Sequence, residues 1–403
     1  MMTISVYFEE DSPVRLWGLT PRQRLVKSLA PLPDVVLADD TPASRPGTAQ
    51  PGTEILVLRA DYVYDQRVLN GLLDSEAGQL ALTDPGDDSV VAVRARADQW
   101  PRDARPSLAN APLSSLQRMT PATVASGAHQ SKLRKFDTPW VARVSAPARR
   151  RLENALFSAA YKGVTDLVTK WAWPLPARAV TRLCVRWGLR PNHVTSLSYV
   201  LAIVAGVLFG YGEFGAGLLA GWIMTFLDTV DGKLARVTLT SSRFGNIFDH
   251  ALDLIHPPLW YIAWGAGLGV TADVTGLLWL IVIGYIGGRL CEGAFKFAAP
   301  FSMFTWRPFD SVNRLVTARR NPNLILLTLA WGAGSPHVGL VLVTLWTLLS
   351  TLVLAVRLGQ GLLARVRGEP PRAWLHSDDP RAGRHPLMVR WFTFPDPAIR
   401  SGR

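Results

Sequence analysis

Four aspartates sit among apolar segments long enough to cross a bilayer. They fall in one stretch: Asp228-Thr-Val-Asp231-Gly232-Lys-Leu-Ala235-Arg236, eight residues, then Gly245-Asn-Ile-Phe-Asp249-His-Ala-Leu-Asp253. A carboxylate at membrane depth is costly, and chains keep one there for a job. On a helix, Asp228 and Asp231 share a face, and so do Asp249 and Asp253. Two antiparallel helices can aim all four at one point. Converging carboxylates repel unless cations lie between them, and oxygen ligands at that density suit Mg2+, Mn2+ or Ca2+. Helix-end acids facing solvent are the plainer alternative.

The apolar pattern predicts six spans, at about 193–211, 214–235, 245–271, 273–297, 322–334 and 337–362. The fifth is short. His256-Pro257-Pro258 is expected to kink the third. The connections after spans one, three and five carry no Lys or Arg, whereas the opposite side is rich in Arg. The positive-inside rule then places both termini and the aspartates on the cytoplasmic side of a multi-pass cell (inner) membrane. The formal charge of +12 follows the same division. Residues 1–100 hold 9 Lys and Arg against 15 Asp and Glu, and the remainder hold 34 against 16. Basic flanks facing anionic lipid explain that excess better than nucleic acid does. The N-terminal MMTISVYFEE has neither a basic n-region nor an apolar h-region, so no signal peptide is expected. Cys184 and Cys291 are isolated and read as packed thiols rather than a disulfide.

The spacing D-x2-D-G-x2-A-R-x8-G-x3-D-x3-D resembles the signature of the CDP-alcohol phosphatidyltransferase family, with all eight fixed positions filled. A chance match is on the order of one in a billion per starting position. The resemblance implies a six-helix membrane enzyme of phospholipid biosynthesis, working as a homodimer. It would move a phosphoalcohol group from a CDP-alcohol, most often CDP-diacylglycerol, to a second alcohol and release CMP. It implies two Mg2+ or Mn2+ ions held by Asp228, Asp231 and Asp249. Asp253 would take the proton from the attacking hydroxyl and also touch metal. Gly232 and Ala235 would let cytidine approach the helix, Arg236 would pair with phosphate, and Gly245 would bring two helices close. Helix packing also explains the glycines, and a positive-inside anchor also explains Arg236.

Arg190-Pro191-Asn192-His193-Val194-Thr195 resembles the family's entry to its first span, with Asn192 and Thr195 as candidate nucleotide contacts. A plain turn before a helix gives the same pattern. Lys162, Thr165 and Asp166 are candidates for headgroup contact or for a solvated face. Arg289, Lys296, Arg307, Arg314, Arg319 and Arg320 suit a phosphorylated acceptor such as inositol phosphate or glycerol phosphate, with Arg289 and Arg314 the chosen contacts. Topology alone also predicts these cations. His250 and His256 read as packed side chains.

Residues 1–100 alternate strand-like and helix-like pieces and predict a soluble α/β domain with a mostly parallel sheet. Thr20-Pro21-Arg22-Gln23 carries a capping-box signature. The domain resembles the nucleotidyltransferase fold, with Asp61 at the place of a metal-binding acid. After the first strand, however, EEDSPVRLWGLT lacks the Gly-rich basic cradle a triphosphate needs. A degenerate, non-catalytic version is expected. Residues 101–147 read as a linker, 148–190 as interfacial helices, 191–365 as the six-helix domain, and 366–403 as a loosely ordered basic cytoplasmic tail. Three rival functions stay open. They are a bifunctional enzyme using a polar donor such as CDP-inositol, a divalent-cation transporter, and a scaffold with a vestigial site.

Overall fold

The structure, a computed structural model, describes residues 3–38, 53–74, 79–101, 104–125, 129–130, 135–241, 243–269, 274–374 and 386–392; the side chains of 129–130, 135–136, 243–253 and 386 lie outside that description. The chain divides into two compact units, one holding residues 1–129 and 137–159, the other 160–393.

In the first unit, alternating apolar residues build a six-stranded sheet. Its order is Val35–Leu37, Ile4–Glu9, Glu54–Arg59, Val90–Arg96, Leu80–Thr83, Gln117–Met119. Period-two alternation sends Val6, Phe8, Leu56 and Leu58 to one buried face and Tyr7, Ile55 and Val57 to the other. The sheet is mixed rather than mostly parallel, because Val90–Arg96 runs antiparallel to both its neighbours. Buried Arg94 on that strand is neutralised by Glu54 across the sheet. The Pro21–Leu29 helix starts where its capping box predicts: Thr20 and Gln23 satisfy each other's backbone N–H groups.

The stretch read as a linker is built into this unit. Gln117–Met119 forms the edge strand beside Leu80–Thr83, and Val141–Arg143 pairs antiparallel with Tyr62–Tyr64. The Arg149–Ala159 helix also belongs here, so the boundary falls near residue 160 instead of 148. Its Leu152 and Ala155 pack on Leu16, Val63 and Trp140.

The second unit is helical. After a π-turn at Val168–Ala172 come helices Pro174–Arg186, Pro191–Gly210, Phe214–Val237, Arg243–Gly267, Thr275–Ala294, Pro308–Val316, Arg320–Gly332 and Pro336–Val366. Among the described residues, three helices are long and apolar enough to cross a membrane: Pro191–Gly210, Thr275–Phe297 and Pro336–Val366. Phe214–Val237 has the length but carries Asp228, Asp231, Lys233 and Arg236. Arg320–Gly332 has 13 residues, about 20 Å of helix against a hydrocarbon core of about 30 Å. The Arg243–Gly267 helix continues through Pro257 and Pro258.

Helix Pro191–Gly210 packs against the next two helices. Ser198 donates to the Met224 carbonyl at 3.2 Å, and the Trp260 indole donates to the Ala202 carbonyl at 2.8 Å. At its far end a Cβ added to Gly267 would sit 1.9 Å from the Phe209 carbonyl oxygen, so that crossing requires glycine. These contacts fix the relative height of the motif helix, Phe214–Val237.

The tail is not loose where it is described. Trp374 is buried, with its indole donating to Ser311 at 2.9 Å. Helix Pro386–Phe392 buries Phe392 edge-on to Trp374, under the Lys170 ammonium. Burial pushes that ammonium down to about 8. Apolar Trp374, Met388, Val389 and Phe392 outweigh the tail's basic composition.

Candidate active site

The motif helix presents Asp228 and Asp231 one turn apart. Asp231 is buried and accepts a hydrogen bond from the Thr195 hydroxyl at 2.7 Å. Thr195, one turn into the first long helix, is therefore turned toward an acid of the motif, whereas Asn192 at the helix start is exposed. Asp228 closes an ion pair with Arg320, the first residue of the Arg320–Gly332 helix. Arg320 also lies 3.8 Å from the Met224 sulfur. The sequence offers Arg320 either as a contact for a phosphorylated acceptor or as a topological cation; its carboxylate partner, 92 positions away, leaves no local signal.

Gly232 lies one turn before Arg236 on the motif helix. The three atoms nearest an added Cβ all belong to the Arg236 guanidinium, the closest at 3.0 Å. Gly232, Ala235 and Arg236 are each half-buried. Lys233, the residue after Gly232, is buried with its ammonium 3.8 Å from the centre of the Tyr161 ring. That cation–π contact fastens the helix to the segment before it. Burial raises the Tyr161 hydroxyl above its usual range.

Gly245, Asp249 and Asp253 lie on the backbone of the Arg243–Gly267 helix, and 249 and 253 are one turn apart on it. Their side chains fall outside the described residues. Among the described residues no three His, Cys, Asp or Glu side chains gather as a metal site. The oxygen donors present, Asp228 and Asp231 with the Thr195 hydroxyl beside them, are hard ligands that fit Mg2+ or Mn2+.

A second polar cluster sits on the Thr275–Ala294 helix and the residues after it. Arg289 donates to the Tyr285 hydroxyl at 3.3 Å and lies 3.7 Å from Glu292. Glu292 also pairs with Arg319. Arg319 and buried Arg314 both lie over the Phe304 ring, at 5.6 and 5.4 Å. The structure thus brings Arg289 and Arg319 onto one carboxylate, with Arg314 within electrostatic reach of it. Lys296 and Arg307 are exposed. Glu292 was passed over in the sequence, although a lone acid inside an apolar segment was a signal.

Asp166 is not a solvated acid. It is buried, and accepts from the Thr169 N–H at 3.0 Å and from the Asn321 amide at 2.9 Å. Burial by itself would raise its carboxyl. The Arg314 charge and these hydrogen bonds outweigh that and hold it below the usual range.

In the first unit, Asp61 is held by two guanidiniums. Arg59 bridges both carboxylate oxygens at 2.9 and 2.7 Å, and Arg143 donates at 3.1 Å. In the turn after the first strand, Trp17 is buried at a positive φ of 52°, stacked on Phe157, with its indole donating to the Glu153 carbonyl at 2.9 Å.

Residues 189–299 match the family model of the CDP-alcohol phosphatidyltransferases. The match spans the helices bearing Thr195, Asp228, Asp231, Asp249, Asp253, Arg289 and Glu292. Phosphatidylinositol phosphate synthase of Mycobacterium marinum is 35% identical over 120 residues, 27% of this chain and 51% of that protein. Cholinephosphotransferase 1 of Gallus gallus is 32% identical over 125 residues, 29% of this chain and 37% of that protein. The chain therefore spans about half or less of the length of these relatives. The crystal structure of Mycobacterium tuberculosis phosphatidylinositol phosphate synthase with CDP-DAG bound is 17% identical, covering 50% of this chain and 94% of that one at a TM-score of 0.32.

Proposed function

We propose that the chain is an integral-membrane CDP-alcohol phosphatidyltransferase acting in phospholipid biosynthesis. The observation that carries this reading is the pair of acids on the motif helix, Asp231 oriented by Thr195 and Asp228 countered by Arg320, inside the matched stretch. The names of the relatives, a synthase of a phosphatidyl ester and a cholinephosphotransferase, point to the same chemistry.

The donor is a CDP-alcohol, taken as CDP-diacylglycerol. Gly232, Ala235 and Gly245 let the cytidine approach the helix backbone, Arg236 pairs with a phosphate, and Asn192 lies at the rim. The acceptor hydroxyl is positioned against the phosphorus that bears the first alcohol. Its oxygen forms the new P–O bond, its proton goes to Asp253, and the bond to the CMP phosphate breaks. Asp228, Asp231 and Asp249, with Asp253 at the edge, would hold two divalent cations, which supply charge neutralisation at the reacting phosphate and the leaving group. Thr195 fixes the Asp231 carboxylate. Arg289 and Arg314 face the acceptor.

The helices after residue 190 form a membrane-embedded bundle at the six expected spans, the short Arg320–Gly332 helix among them, with the arginine-rich ends and the site on the cytoplasmic side, and two copies form a dimer. The first unit is a non-catalytic relative of the nucleotidyltransferases. Its acid is locked by Arg59 and Arg143, and the stretch after its first strand, which lacks a phosphate cradle, is plugged by buried Trp17. The test is CMP release from CDP-diacylglycerol by the purified full chain, with and without a panel of alcohols. CMP that appears only with an alcohol and a divalent cation supports the reading, and cation flux into liposomes without CMP would replace it with transport.

A further inference from the structure

The arginines that invite a phosphorylated acceptor already hold an anion. Glu292 lies between Arg289, at 3.7 Å, and Arg319, with which it pairs directly. Its side chain is 18% exposed, so water screens the pair poorly. Arg320 is committed to Asp228, and Arg314 is close to both Glu292 and Asp166. A phosphomonoester entering here would meet a resident carboxylate and would have to displace it from two guanidiniums or share them at like charge.

A second observation says what the neighbourhood lacks. Asn323 is 1% exposed; its amide donates to the Tyr261 hydroxyl at 2.7 Å, and its Oδ1 meets no donor among the described residues. Arg289 and Tyr285 lie near enough to Tyr261 to act on it electrostatically. A buried carbonyl oxygen without a donor is unfavourable, and an alcohol O–H would satisfy it. An ionised phosphate oxygen, an acceptor itself, would not.

We propose that Glu292 sets the acceptor class: by holding Arg289 and Arg319 it suits this arginine cluster to an uncharged polyol and turns away a phosphomonoester. This rests on the transferase reading above and narrows it. The glutamate is a specificity residue. It holds two donors in place, and its outer lone pairs remain for a polyol hydroxyl.

The test has two arms on the purified full chain in nanodiscs. In the first, the wild-type protein receives CDP-diacylglycerol with either myo-inositol or inositol 1-phosphate. CMP release is expected with the free polyol and not with its phosphate. Transfer to the phosphate by the wild type overturns this inference while leaving the transferase reading intact. In the second, binding of inorganic phosphate and of inositol 1-phosphate is measured by calorimetry without donor. Glu292→Gln is expected to bind each roughly tenfold tighter or more than the wild type, the scale of one neighbouring charge. A further Arg319→Ala change should abolish the gain. Equal binding by wild type and Glu292→Gln overturns the inference. Absence of CMP with every alcohol, together with equal phosphate binding, overturns both readings at once.

Discussion

Thr195 donates its hydroxyl to Asp231 at 2.7 Å, tying the first long helix to the motif helix across 36 positions of chain. A group that orients a metal ligand is typically worth 10–100-fold in activity or affinity. Thr195→Val is therefore expected to lower CMP release by roughly 10–100-fold, with a higher cation requirement. Thr195→Ser, which keeps the hydroxyl, should recover most of it. Steady-state CMP release against Mn2+ concentration checks this, and equal activity of Thr195→Val and wild type refutes it.

Asp249→Asn and Asp253→Asn should each abolish CMP release while leaving an intact, monodisperse protein. Wild-type turnover by both would remove the proposed chemistry. Size-exclusion profiles in detergent separate loss of chemistry from loss of fold.

Arg320 is the counterion of Asp228. The pair is partly buried, so removing Arg320 leaves a poorly solvated carboxylate without its counterion. Arg320→Ala should melt below the wild type in EDTA. Mn2+, by supplying the missing positive charge, should raise its melting temperature more than it raises that of the wild type. Identical Mn2+ shifts in the two proteins would disprove the counterion role.

Asp166 is a carboxyl whose folded-state affinity for protons is lowered. Such a group stabilises the fold above the ordinary carboxylate range, and the stabilisation is lost as pH falls through and below about 3.9. Thermal unfolding between neutral pH and pH 3 should show a steeper acid loss in the wild type than in Asp166→Asn. Parallel curves would count against it.

In the first unit, Asp61→Asn should leave CMP release within about twofold of the wild type, because no step of the transfer uses it. Trp17→Ala should destabilise that unit by about 3–5 kcal/mol, the usual cost of emptying a buried indole site. Retention of full stability by Trp17→Ala would mean the plug is not structural.

Much of the bundle was legible because apolar runs report helices directly. Each of the six expected spans has a helix within a few residues of it. The acids were legible because their spacing is a helical repeat. What escaped was pairing at a distance. Nothing local in the sequence says that Arg320 meets Asp228 92 positions away, or that Arg319 reaches back to Glu292. The small strands were equally hidden. Gln117–Met119 and Val141–Arg143 have three residues each, too few to show alternation, and they lie in a stretch rich in Pro and Ala. Glu292 was legible in principle, and was overshadowed by the arginines around it.

Phe392 fills a slot beneath Lys170 and beside Trp374, close to the Trp171–Trp391 pair. A truncation placed just after the last long helix, a natural choice for crystallisation, would empty that slot and strip the cover from the ammonium. Shortened versions of this chain should therefore be judged first by whether they survive detergent, since a dead truncation would speak of a missing buckle rather than of the chemistry.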